Sequence, residues 1–235
     1  MKLGIMQPYF FPYIGYFSLI RATDKWVVFD NVQYIRHGWV NRNRILHPAE
    51  GWQYIIAPLK KHQRSARINE VEVIEGNQWR DRIFGQLEHY RKRAPFFHET
   101  LDLVRNCLEG EQPNLAKLNV QILSRICGYL GVTFDYDIFS ELELPLEEVD
   151  DPGLWALRIS QHYRANSYIN PPGGKELFDP EAFAKAGIAL QFLEPAGIPY
   201  DQKRESFTPA LSIIDVLMNC GREGTIERLA NYELV

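Results

Sequence analysis

The chain has 235 residues, 46% hydrophobic and 24% charged, the balance of an ordinary globular protein rather than a disordered or fibrous one. A formal net charge of −4 argues against a dedicated nucleic-acid binder, whose phosphate contacts need a cationic excess, though it leaves room for a local basic patch. Cysteines at 107, 127 and 220 are too few and too scattered for a disulfide scaffold or a CxxC metal site, which points to a reducing compartment, the cytoplasm by default.

Residues 2–7 read as a short strand stopped by Pro8, and residues 12–21 as a helix with Pro12 tolerated in its first turn. Gln7, Pro8 and Pro12 interrupt this apolar N-terminus, and no run of 18 apolar residues occurs anywhere, so neither export nor membrane spanning is expected. Trp26-Val27-Val28-Phe29 then forms a continuous apolar run ending at Asp30, as in strands buried on both faces. Residues 2–30 therefore predict a βαβ unit with a right-handed crossover.

Further strands are expected at 53–58 and 68–74, paired as a hairpin around the basic loop Lys60, Lys61, His62, Gln63, Arg64. Helical spacing follows in Trp79, Ile83, Leu87 and Tyr90, then in Leu101, Val104 and Leu108, and again over 114–130 with Gly131 beyond its end. Residues 135–151 carry eight acids and no Lys or Arg, which reads as a solvated acidic connector. It divides an N-terminal α/β part, 1–134, from a C-terminal one, 153–235, through a connector at 135–152, with the two parts packed as one unit.

Beyond it come a helix at 154–164, a strand at 167–170, a sharp turn at 171–174, and a helix opened by Asp179-Pro180-Glu181 and closed by Gly187. A strand at 188–193, a helix from Thr208-Pro209 to Gly221 and a short helix over 225–232 complete the chain. The alternation predicts an α/β class, a Rossmann-like mixed or mostly parallel sheet flanked by helices, with a helical insertion.

Parallel first strands would place Gln7 and Asp30 at carboxyl ends, where open α/β sheets put their ligands. Tyr9, Phe10, Phe11, Tyr13, Tyr16 and Phe17 nearby suit stacking on a base or sugar ring, or equally a packed aromatic core. Residues 34–68 hold Arg36, Arg42, Arg44, Lys60, Lys61, Arg64 and Arg67 against Glu50 alone. Arg42 and Arg44 alternate with Asn41 and Asn43, so an extended backbone puts both guanidinium groups on one face. Such forks suit phosphate or carboxylate, and the competing reading is a solvated basic loop.

On the last long helix Ser212, Asp215 and Asn219 fall within about 60° of one another, a polar stripe that is either a wet face or a face turned to a site. Tyr200-Asp201-Gln202 and Phe207 precede it as a lid or rim. The six histidines show no HExxH or other zinc spacing, and neither a nucleophile elbow, a P-loop nor a Gly-x-Gly-x-x-Gly fingerprint occurs, so no metal site is expected. Cys127 and Cys220 read as buried fillers.

The string from Met6-Gln7-Pro8-Tyr9 to Phe17, then Phe29-Asp30-Asn31-Val32-Gln33-Tyr34, Asn41-Arg42-Asn43-Arg44-Ile45, the segment 90–97 and the terminal Ser212 to Gly221 block together resemble the WbqC-like protein family of bacteria. The resemblance implies a role beside O-antigen and other surface-polysaccharide enzymes, as a transferase that places an acyl or aminoacyl group on a nucleotide-linked amino sugar. Where many members have His-Gln-Pro, this chain has Met6-Gln7-Pro8, which removes a histidine base from position 6.

Residues and resemblance together assign Arg42, Arg44 and Lys60 to a diphosphate or phosphopantetheine, and Asp30 or Asp215 to the amine's proton. Asn41, Gln7 or Asn219 would stabilise the oxyanion. Tyr9, Tyr13, Gln33, Arg36, Asn43, Tyr200, Gln202 and Ser212 complete the expected substrate-binding set. No bound cofactor is expected, but a thioester co-substrate is, delivered by coenzyme A or by an acyl or aminoacyl carrier protein. A nucleotidyltransferase releasing pyrophosphate and a non-catalytic binder of a glycan precursor are the alternatives.

Overall fold

The computed structural model describes residues 1–142, 152–197 and 199–235. In chain order its elements are β1 (Lys2–Met6), α1 (Ile14–Ala22), β2 (Lys25–Val28), β3 (Arg42–Leu46), β4 (Trp52–Ile56), α2 (Gln78–Leu87), α3 (Phe97–Cys107) and α4 (Leu115–Leu130). They continue with β5 (Tyr136–Ile138), α5 (Pro152–His162), β6 (Ser167–Asn170), α6 (Pro180–Lys185), β7 (Ala189–Pro195), α7 (Ile213–Leu229) and β8 (Tyr232–Leu234).

The main sheet runs β5-β2-β1-β6-β7-β8, parallel throughout except for the edge strand β8. Its central strands bury both faces, as their unbroken apolar runs require. Leu3, Ile5 and Val27 pack with α5 and α6 through Leu157, Ile159 and Phe183, whereas Trp26, Val28 and Ile169 join α1, α4 and α7 on the other side. The period-two alternation thus feeds two apolar layers, and the fold is the expected α/β sandwich of a mostly parallel sheet between helices.

Local signals act as their chemistry dictates. Asn114 caps α4 by accepting the Lys117 amide, and Gly131 ends it in the left-handed conformation. Asp179 accepts the Glu181 and Ala182 amides ahead of Pro180 at the start of α6.

Several expectations are corrected. Residues 68–74 do not form a full strand paired with β4; only their end pairs antiparallel with the stretch just after it, through the Leu59–Val73 bridge and the bonds of the Lys60 amide to Glu72 and the Ile74 amide to Pro58. Instead Ile68–Glu70 makes a 3-10 turn, with the Glu70 carboxylate accepting the Arg67 amide, and the amides of Val73 and Leu115 bond across the 71–73 and 113–115 segments. The partner of β4 is β3, antiparallel, in a separate two-stranded sheet.

The last long helix begins at Ile213, not at Thr208. Gln202 brackets Thr208, accepting its amide and donating to its carbonyl, while Ala210 takes a positive φ of 54°, and Ser212 serves as the cap. The break expected at Gly221 is present, since its φ of 65° and ψ of −171° are non-helical and divide α7 into two helical segments, but residues 232–234 are strand β8 rather than helix. Within the acidic stretch Tyr136–Ile138 forms β5 and Phe139–Glu141 a 3-10 turn, while positions 143–151 lie outside the described residues.

Candidate functional site

From the centre of the sheet, β1, β2 and β5 step one way and β6, β7 and β8 the other, so the winding reverses between β1 and β6. Successive crossovers there diverge and leave a crevice beyond the carboxyl ends of the two strands, the usual ligand position in open α/β sheets. A cavity of about 510 Å³ occupies that place. Gln7 follows β1, Asn170 ends β6 and Phe29 follows β2. Tyr9 and Tyr13 come from the β1–α1 loop, Asn43 and Arg44 from β3, Trp155 from α5, and Trp39, Phe178 and Ala210 from loops.

The loop after β1 is fixed on several sides. Asn119 of α4 donates to the carbonyls of Pro8 (2.9 Å) and Val40 (2.7 Å), the Tyr16 hydroxyl donates to that of Gln7 (2.8 Å), and Asn43 donates to that of Phe10 (3.1 Å). Its carbonyls are thus satisfied by buried side chains, which removes the freedom a proline-punctuated loop would otherwise have. Burial pushes the phenols of Tyr9 and Tyr13 above their usual pKa, so both stay protonated hydrogen-bonding groups at neutral pH.

Arg44 is the one cationic side chain among the described residues lining this cavity. Its guanidinium lies 5.2 Å from the ring centres of both Trp39 and Trp52, and Nη2 donates to the Ala210 carbonyl at 3.3 Å. Its Nε is shielded without a partner.

The other predicted cations are placed elsewhere. Arg42 lies over Tyr54 at 4.1 Å and donates to the His37 carbonyl, Lys60 pairs with Glu72 and Glu75, and Arg36 is exposed. Gln33 is exposed and donates to the Arg64 carbonyl. The expected cationic hollow thus reduces to one arginine, because neighbours in sequence found different partners in space.

Neither predicted aspartate lines the cavity. Asp30 is buried, accepting the Ser140 amide (2.9 Å) and hydroxyl (2.6 Å), and desolvation raises its pKa. Asp215 is fully buried on α7, accepting hydrogen bonds from Tyr90 and Tyr200 at 2.5 Å and from Gln202 at 3.0 Å, and burial raises its pKa against those bonds.

Ser212 donates to the Phe11 carbonyl, while Asn219 donates to the Asp215 carbonyl of its own helix, so neither end of the polar stripe lines the cavity. Asn41 spends its amide on Tyr34 and Ala57. Tyr200 lines a second cavity of about 240 Å³, which shares Tyr13 and Ala210 with the first.

Sequence reading brought Gln7, Tyr9, Tyr13, Asn43 and Arg44 to this cavity and missed Trp39, Trp155, Asn170 and Phe178. Asn170 could have been found, since it ends a strand just before Pro171-Pro172-Gly173-Gly174. Rings that hold planar or sugar faces, the amides of Gln7 and Asn170 and a single guanidinium suit an uncharged ring carrying one anionic group.

The family model described as the WbqC-like protein family matches residues 7–227. The chain belongs to the WbqC-like protein family. A protein of Mycobacterium tuberculosis (strain ATCC 25618 / H37Rv), described as uncharacterized protein Rv1507c, is 31% identical to this WbqC-like chain over 224 residues, 94% of the chain and 95% of that relative. No solved structure matches it. Among its described residues no helix is long and apolar enough to cross a membrane.

Proposed function

We propose that this WbqC-like protein is a transferase that binds a nucleotide-linked amino sugar and places an acyl or aminoacyl group on its amine, in the assembly of O-antigen or another surface polysaccharide. The observation that carries the reading is the ring-lined cavity at the β1–β6 switch point with Arg44 at its wall. In this reading the sugar stacks among Tyr9, Tyr13 and Trp155, and Gln7 and Asn170 read its hydroxyl and amino groups. A phosphate oxygen meets Arg44, whose fork suits it.

The donor is a thioester of coenzyme A or of a carrier protein. The sugar amine attacks the thioester carbonyl, the C–N bond forms, the C–S bond breaks, and the proton lost by nitrogen leaves on the thiol. Gln7, beside the strand end, donates to the oxyanion. Asp30 and Asp215 hold the walls rather than touch the substrate, since each is already occupied by donors outside the cavity. A nucleotide-linked substrate assigns the reaction to the cytoplasm.

One observation favours a second reading, a non-catalytic binder of the same ligand. Among the described lining residues there is no carboxylate, imidazole or thiol. Calorimetry with uridine- and thymidine-diphosphate amino sugars, followed by assay of thiol release from acetyl- and aminoacyl-thioesters, decides between them. The transferase reading expects binding that Arg44→Ala weakens at least tenfold, and thiol release that depends on the sugar. Binding without thiol release selects the binder, and no binding overturns both.

A further inference from the structure

We propose that the outer face of the β3–β4 hairpin is the nucleoside half of the site, with the base stacked on Trp52 and the adjoining phosphate on Arg44. This rests on reading the cavity as the sugar half.

The register pairs Arg44 with Tyr54 and Leu46 with Trp52. Cross-strand partners and alternate residues share a face, so Arg42, Arg44, Trp52, Tyr54 and Ile56 project together while Asn43, Ile45 and Ile55 are buried on the other side. The projecting face is unusual for a surface: Trp52 is 41% exposed and Ile56 44%, interleaved with guanidinium groups. Exposed apolar rings beside cations, in a chain of net negative charge, mark a recognition surface.

Arg44 is held ready for an anion. Two indoles flank it with ring centres 5.2 Å away, and it donates one long hydrogen bond, to the Ala210 carbonyl. Among the described residues no acid pairs with it, whereas Lys60, Arg91 and Arg105 all have carboxylates. A guanidinium already immobilised loses little further freedom on binding a phosphate.

The usual anion position of a Rossmann-like fold, the start of the first helix, is covered here. The ring of Tyr13 lies against Gly15 so closely that a Cβ there would run into it. That leaves the arginine as the anion contact of this crevice.

Trp39 and Arg44 line the cavity, and Arg44 also touches Trp52. A ligand whose sugar lies inside therefore carries its phosphate past Arg44 and its next ring onto Trp52. Stacking tolerates any base, so the platform fits a nucleoside diphosphate without selecting uracil over thymine.

The test compares UDP-N-acetylglucosamine, UDP and N-acetylglucosamine 1-phosphate by calorimetry on the full chain. Trp52→Ala should weaken both uridine ligands roughly tenfold and leave the sugar phosphate unchanged, and Trp52→Phe should restore most of the loss. Arg44→Gln should weaken all three. If Trp52→Ala weakens the sugar phosphate equally, the ring only supports Arg44 and the proposal falls; if it weakens none, the proposal falls while the cavity reading stands. Should UDP bind and neither sugar ligand gain over it, the cavity reading fails and the platform survives. Wild-type protein that binds none of the three overturns both.

Discussion

The Tyr90 hydroxyl joins two distant elements at one oxygen: it donates to Oδ1 of Asp215 on α7 at 2.5 Å and accepts the amide of Leu46 on β3 at 3.0 Å. Leu46 lies two residues beyond Arg44, so the strand that carries the cavity's cation is moored through Tyr90 to a carboxylate in the core. Tyr200 and Gln202 meet the same carboxylate, which brings the loop before α7 into the network.

Tyr90→Phe keeps the ring and removes the oxygen, leaving a buried amide and a carboxylate oxygen each short of a partner. Unsatisfied buried groups cost about 1–3 kcal/mol each. The urea unfolding midpoint should fall accordingly, and an unchanged midpoint would show that the mooring contributes nothing.

The same carboxylate should leave a mark on stability against pH. Burial raises the pKa of Asp215 above its ordinary 3.8, so the folded chain holds that proton more tightly than the unfolded chain does. Its contribution is full below the unfolded value and is lost as pH rises through the raised folded value. Relative to Asp215→Asn, the wild-type chain should therefore gain unfolding free energy between pH 7 and pH 4, read from denaturant curves at both ends. Parallel curves for the two proteins would contradict the assignment.

Gly174 tests the cavity wall. A Cβ there would collide with the Asn170 amide and sit 3.2 Å from Phe178. Asn170 is buried and its Oδ1 accepts the buried Tyr168 hydroxyl at 2.9 Å, so Gly174→Ala should turn that amide out of place and cost about 1–3 kcal/mol for the partner left unsatisfied. Calorimetry with UDP-N-acetylglucosamine should show a several-fold weaker complex, with a lowered melting temperature. An unchanged affinity would show that the Asn170 amide does not meet the ligand.

Gly221 tests backbone strain. It divides the two helical segments of α7 at φ 65° and ψ −171°, and an added Cβ would lie 2.7 Å from the Phe96 ring. That backbone region belongs essentially to glycine, and the Phe96 ring, itself 38% exposed, would also have to shift, so Gly221→Ala should cost about 1–3 kcal/mol. Calorimetric melting measures it directly, and a fully stable variant would exclude the strain.

The sequence made plain those features whose cause is local. The buried runs of β1 and β2, the Asn114 cap with Gly131, and the Asp179-Pro180 start of α6 each depend on neighbours within a few residues. Strand β3 was hidden because Arg-Asn-Arg resembles a solvated loop until Asn43 is seen facing the Phe10 carbonyl and the guanidiniums lying on Tyr54, Trp39 and Trp52. Lys60 looked available because Glu72 and Glu75, its partners, lie beyond a turn that periodicity misread as a strand. Trp155 joined the site only through the pairing of β1 with β6, a contact with no local trace, whereas Asn170 carried the local sign of a strand end before Pro171.

That pairing also sets an order of events at the ribosome. β1 waits for its second neighbour, since Lys2 pairs with Ser167, which emerges 165 residues later. At typical elongation speeds of about 5–20 residues per second, one side of β1 stays open for roughly 10–30 seconds. During that interval its free edge is the place on the nascent chain where chaperone binding or mispairing would begin.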